Sequence, residues 1–157
     1  MADDLSIMKQ ALLEARKAFA SDEVPVGAAV VKDGRIIAQA RNENRETNNP
    51  VRHAEIIAIE AACAAMGNER LTDCDLYVTK EPCAMCAGAI VHARIRRLVI
   101  GARDTRYGAC GTVLSVCGNR ALNHVPEIEF GLMEEESAKL LKEFFKMKRN
   151  SDGEYQE

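Results

Sequence analysis

His53-Ala54-Glu55 and, further along, Pro82-Cys83-Ala84-Met85-Cys86 are the residues best suited by type and spacing to do chemistry. Two cysteines three apart on a first helical turn face the same side, and one imidazole with two thiolates is a common zinc ligand set. Three protein ligands leave a fourth coordination position open, which separates a catalytic zinc from a structural one. Water fills such a position, and zinc lowers its pKa from about 16 to about 7. The chemistry then needs a proton carrier. Glu55, two residues beyond His53, is expected to be that general acid/base and not a ligand.

Taken singly these motifs are weak: Cys-x-x-Cys can be redox-active or simply buried, and a lone His says less still. Their order is the informative part. His-x-Glu followed by Pro-Cys-x-x-Cys, each at a predicted helix start, is the pattern of zinc deaminases that act on nucleobases. On that reading Glu55 delivers a proton to the ring nitrogen beside the attacked carbon and later to the departing ammonia. Cys63 and Cys74 read as core thiols. Cys110 and Cys117 lie in a loop, where either could supply a fourth ligand and make the zinc structural. His92 and His124 read as surface or hydrogen-bonding groups.

The elements that must position these residues follow from periodicity. Residues 5–20 place Leu5, Met8, Leu12, Leu13, Ala15 and Phe19 three and four apart, predicting an amphipathic helix. Val24–Val31 and Arg35–Ala40, joined by Lys32-Asp33-Gly34, predict a β-hairpin, and Asn42–Pro50 a loop. A helix is expected over His53–Met66, ended by Gly67-Asn68, then a strand over Leu76–Thr79. Cys83–Arg94 reads as a helix with Pro82 in its first turn, followed by a strand at Leu98–Ile100. Residues 108–126 are expected to be an extended loop, and Glu134–Arg149 a helix with Leu140, Leu141, Phe144 and Phe145 inward. Alternating strands and helices argue a layered α/β domain with a mixed sheet, its later strands parallel. Both helix starts then lie at the carboxyl ends of parallel strands, where ligand sites gather.

The 157 residues, 47% hydrophobic and 29% charged, fit one globular domain spanning 1–157 with its core at about 5–150. No run is long and apolar enough for a membrane span, and Met1 to Asp4 are acidic where a secretory signal would be basic, so a cytoplasmic location is expected. Net charge of −3 and a pI near 5.7 exclude binding nucleic acid by bulk charge; a local patch would be needed.

With these residues in view, the chain resembles the bacterial tRNA adenosine deaminases of the TadA family, in the cytidine deaminase-like superfamily. The likeness runs over roughly residues 5–150, through Asp22–Gly27, His53–Glu55, Tyr77–Thr79, Glu81–Ala89, Gly101–Asp104, Asn123-His124 and Phe144-Phe145. It implies a three-layer α/β/α fold with a mixed five-stranded central sheet, a homodimer, one zinc per subunit, and conversion of the wobble adenosine of a tRNA anticodon stem-loop to inosine. It also implies zinc ligation by His53, Cys83 and Cys86, with Glu55 catalytic. Asn42 would hydrogen-bond the target base, Val26 and Ala54 line its pocket, and Asp104 contact the anticodon loop. One departure stands before the zinc histidine, where Asn49-Pro50-Val51-Arg52 replaces the family's Asp-Pro and small residues, setting Arg52 near the pocket mouth.

An enzyme acting on a loop base must splay it out, which calls for cations and stacking surfaces. Arg94, Arg96, Arg97, Arg103 and Arg106 with Tyr107 offer one cluster, and Lys142, Lys146, Lys148 and Arg149 another. Arg52, Arg103 and Arg106 are the expected RNA or entrance contacts. Two rivals remain at this level: a deaminase of a free heterocycle such as cytosine or guanine, and a non-catalytic RNA-binding scaffold with structural zinc.

Overall fold

The computed structural model describes residues 2–151; Met1 and residues 152–157, the ends of the expected 1–157 domain, lie outside the described residues. Helix α1 (Asp4–Ala20) starts where the Asp3 carboxylate accepts the Ser6 amide at 2.8 Å, and it buries Ile7, Met8, Ala11, Leu12, Ala15 and Ala18 along one stripe. Strands β1 (Gly27–Lys32) and β2 (Arg35–Arg41) form the expected hairpin. Its two turn residues, Asp33 and Gly34, both have positive φ (50° and 74°), the conformation for which Asp-Gly is favoured. The strand begins later than expected. Val24–Val26 bends instead, with the Val26 amide bonded to the Val24 carbonyl, because these residues turn into the site described below.

The segment expected as a plain loop contains a short helix, α2 (Asn44–Thr47). Its first amides are held from outside: the buried Glu23 carboxylate accepts Arg45 N–H at 3.0 Å and Glu46 N–H at 2.7 Å. Helix α3 (Ala54–Met66) ends at Gly67 in the left-handed conformation, as the sequence predicts. Strand β3 (Cys74–Lys80) is buried along nearly its whole length, and α4 (Ala84–Ala93) follows. Pro82 is outside that helix, not in its first turn: Cys83 is the N-cap, with extended backbone. After β4 (Arg97–Ala102) comes the long irregular segment, then β5 (Glu127–Phe130) and α5 (Glu134–Ser151). Strand β5 was not predicted: Glu127-Ile128-Glu129-Phe130 alternates polar and apolar, but over only four residues at the end of a long irregular segment.

The sheet order is β2-β1-β3-β4-β5, with β1 antiparallel to both neighbours and β3, β4 and β5 parallel, giving the expected mixed five-stranded sheet. Alternate residues face opposite layers. Val30, Leu76, Val78, Leu98 and Ile100 join Ala58, Ala62, Ala87 and Ile90 of α3 and α4, while Ala29, Val31, Tyr77 and Val99 join Ile7, Met8 and Ala11 of α1. Helix α5 packs beside α1, with Phe144 fully buried edge-on to Phe19 at 5.6 Å. This is a three-layer α/β/α arrangement. Because β1 runs against its neighbours, one edge of the sheet collects the carboxyl ends of β2, β3 and β4, and the chain enters α3 and α4 from that edge.

Candidate active site

Neither His53 nor Cys83 makes a side-chain cap for the helix it begins. Asn42 takes over that duty for α3, its Oδ1 accepting Ala54 N–H at 2.8 Å while its Nδ2 donates to the Val24 carbonyl at 3.2 Å. The His53 ring is thereby left to turn across to α4, where Nδ1 lies 3.7 Å from Cys83 Sγ and 3.5 Å from Cys86 Sγ. Ligand bonds of about 2.3 Å to sulfur and 2.0–2.1 Å to nitrogen in a tetrahedron put neighbouring donors about 3.6 Å apart. The donor set and its spacing therefore fit a zinc ion. Among the described residues these three form the group whose ligand atoms lie within 4.8 Å of one another, and no fourth protein ligand joins them.

Cys110 and Cys117 are not a fourth ligand. They are buried and face each other, Sγ to Sγ at 3.3 Å, with Cys117 also directed at the Ala87 carbonyl. Cys74 is buried and Cys63 half-buried, as core thiols should be. His92 is exposed, and His124 Nε2 sits 2.5 Å from the Ile95 carbonyl.

Of the three groups, Cys83 is the one whose electrostatics favour the metal-binding form. Hydrogen bonding to Cys86, aided by His53, overcomes burial and lowers the Cys83 thiol to about 4, so that it is a thiolate at neutral pH. The same contact and burial push Cys86 up. His53 is raised by its contact with Cys83. The start of α4 adds its positive dipole end, which stabilises thiolates. Glu55, 4% exposed, has its carboxyl pushed up by burial.

His53, Glu55 and Cys83 lie on the wall of a cavity of about 490 Å³, together with Val26, Asn42 and Asp104. Ala54 is fully buried just behind that wall. Asp104 accepts the amides of Arg106 and Tyr107 through Oδ1 and pairs with Lys80 at 3.0 Å. Burial pushes this carboxyl up, but Lys80 and the two amides outweigh burial and hold it below its usual value. Tyr107, 65% exposed, and Phe145 complete an aromatic rim. A second cavity, lined by Lys80, Arg103, Arg106 and Lys142, opens beside the first.

Arg52 does not line either cavity. Its guanidinium is paired with Glu60 at 3.0 Å and Glu43 at 3.5 Å. The expected five-arginine cluster is also divided. Strand β4 carries the chain about 20 Å across the sheet, leaving Arg94, Arg96 and Arg97 at the far edge. There Arg96 and Arg97 pair with Asp75, and Arg97 also with Asp4 and Glu129. Only Arg103 and Arg106 reach the site, Arg103 stacking 3.8 Å from the Phe130 ring. Residue patterning missed Glu23, Lys80 and Glu81 as wall residues. The available signal was a pair of charged residues, Lys80-Glu81, closing an otherwise apolar strand just before Pro82-Cys83.

Comparison with known proteins agrees with this geometry. The model of the MafB19-like deaminase family matches residues 2–149. A tRNA-specific adenosine deaminase of Agrobacterium fabrum is 49% identical, covering 97% of this chain and 100% of that protein. One of Bacillus subtilis is 42% identical, covering 93% and 91%. A solved chain from studies of A-to-I editing by tRNA:A34 deaminases at the wobble position of transfer RNA superimposes with a TM-score of 0.84 at 50% identity, over 87% of this chain and 99% of that one. A guanine deaminase from Nitrosomonas europaea follows at 0.79 and 27%, over 92% and 85%.

Proposed function

The chain belongs to the tRNA-specific adenosine deaminases, and on that premise we propose that it hydrolyses the wobble adenosine of a tRNA anticodon loop to inosine, releasing ammonia. The observation that carries the reading is one imidazole nitrogen set 3.5 and 3.7 Å from two sulfurs, with a buried carboxyl on the wall of the same cavity. His53, Cys83 and Cys86 would hold one zinc ion. When bound, zinc supplies Lewis acidity, lowering the pKa of water so that it can attack near neutral pH.

The protein's own groups do the remaining work. Glu55 takes a proton from the attacking water and passes it to N1 of the adenine as the C6–O bond forms; it then takes the remaining hydroxyl proton at C6 and delivers it to the amino group, which leaves as ammonia as the C6 carbonyl forms. Its burial keeps bulk water from competing for that proton. Asn42, fixed by Ala54 and Val24, has one N–H left to read the base edge, and Val26 lines the slot, while Ala54 backs the wall without lining it. A wobble base must leave the loop stack to enter. Tyr107 and Phe145 offer faces for neighbouring bases, Asp104 a loop contact, and Arg103 and Arg106 charge for phosphates.

The chain is read as a cytoplasmic homodimer. No helix among the described residues is long and apolar enough to cross a membrane. Val113, Leu114, Leu122 and Val125 are exposed on the long irregular segment, apolar surface that a second subunit would cover. The test is inosine formation in an anticodon stem-loop bearing a wobble adenosine, beside ammonia release from free adenine, cytosine and guanine. Inosine in the stem-loop with little release from free bases supports the proposal. The reverse would move the substrate to a free heterocycle.

A further inference from the structure

Glu81 stands between the end of β3 and the Pro82-Cys83 turn, and it is 2% exposed. Its carboxylate is met by donors from a single segment. Oε1 accepts Asp104 N–H at 3.1 Å and the Thr112 hydroxyl at 2.5 Å; Oε2 accepts Cys110 N–H at 3.0 Å and Thr112 N–H at 3.2 Å. The segment is tied to the same turn by backbone bonds, Ala109 N–H to the Pro82 carbonyl at 2.9 Å and Glu81 N–H to the Ala102 carbonyl at 2.8 Å. Gly108 lies so close that a Cβ there would come within 2.5 Å of both Glu81 Cδ and the Asp104 carbonyl oxygen. Three backbone amides and one hydroxyl face this group, with at least one amide on each carboxylate oxygen, so a side-chain amide in its place would turn N–H against N–H in either orientation. Residues 104–112 present Asp104 and Tyr107 to the cavity, while the turn presents Cys83.

We propose that Glu81 is a positioning residue of the reaction, fixing the segment 104–112 to the metal-ligand turn so that Asp104 and Tyr107 meet the RNA in register with the reacting atoms. The proposal rests on the tRNA reading for its substrate. It predicts that loss of the carboxylate weakens engagement of RNA much more than it slows the bound substrate.

Glu81→Gln, Thr112→Val and Thr112→Ser would be compared with the wild-type protein in steady-state editing of the anticodon stem-loop, zinc content, and NMR amide exchange at Asp104, Cys110 and Thr112. Glu81→Gln should raise KM roughly tenfold or more with kcat within about threefold, keep its zinc, and lose protection at the three amides. Thr112→Val should show the same split, more weakly, and Thr112→Ser, which keeps the hydroxyl, should match wild type. A role limited to overall stability would move neither the KM-to-kcat split nor the serine rescue. Unchanged KM and protection in both impaired variants would overturn the proposal. So would a fall in kcat and zinc at constant KM, which would make Glu81 a support for the ligands alone. If Glu81→Gln does not fold, the Thr112 pair decides. If the wild-type protein does not edit the stem-loop, the tRNA reading fails, and amide exchange still decides whether Glu81 holds the segment.

Discussion

Replacing Glu55 by Gln keeps the shape of the side chain and removes its capacity to carry a proton. Because general acid–base catalysis contributes about 10²- to 10⁴-fold, kcat should fall by that order while zinc content stays at one per chain. Steady-state rates and metal analysis of the purified variant check this. Asn42→Ala removes the acceptor for Ala54 N–H at the start of α3. Losing such a cap costs about 1 kcal/mol, so chemical denaturation should show a modest destabilisation alongside loss of the proposed base contact. His53, Glu55, Cys83 and Cys86 were legible in the sequence because each motif is local and each sits at a helix start. Glu23 and Glu81 were not, because their partners lie 22 to 31 residues away in the chain and only the folded sheet brings them together. The same limit applies to Arg52: one residue from His53, it is drawn off by Glu43 and Glu60.

Among the elements, the contact of α1 with β1 leaves the least room for change. A Cβ on Gly27 would fall 1.8 Å from the Ala11 carbonyl oxygen, a clash with backbone that no side-chain rotation relieves. Gly27→Ala should therefore destabilise by the upper part of the overpacking range, about 3 kcal/mol, lowering the thermal midpoint. The three long helices flanking the site and the hairpin could be read from apolar spacing and turn chemistry. Helix α2 and strand β5 could not. The first is held by the distant Glu23 carboxylate, and the second alternates over only four residues, too few to set it apart from the irregular segment before it. The arginine run misled for a related reason: residues close in sequence are carried to opposite edges by β4.

Across the whole molecule, charge is arranged in two places with different consequences. At the edge far from the site, Asp4 is held below its usual value by Arg97 and Tyr77, while burial and then Asp4 push Tyr77 up to about 12. A depressed carboxylate contributes stability above its unfolded value of about 4, lost as pH falls through the folded value. A raised phenol works in the other direction, its contribution declining as pH rises from about 10 to about 12. Thermal midpoints should thus drop on both flanks, and Asp4→Asn should flatten the acid-side drop. At the site edge, Lys80, Arg103, Arg106 and Lys142 gather around the second cavity in a chain of net charge −3, the local patch that its composition required. Sedimentation at twice the 17.3 kDa chain mass would support the dimer. Composition could show that a patch was needed; its position depended on strand order, which no local pattern contains.

The most direct test maps inosine by position in an anticodon stem-loop carrying adenosines both at the wobble position and elsewhere in the loop, using wild-type protein and Glu55→Gln. Inosine at the wobble position alone, abolished or nearly so in the variant, is the predicted result. Inosine spread over the loop adenosines, or equal editing by the variant, would contradict the assignment of this cavity and its buried carboxyl to wobble deamination.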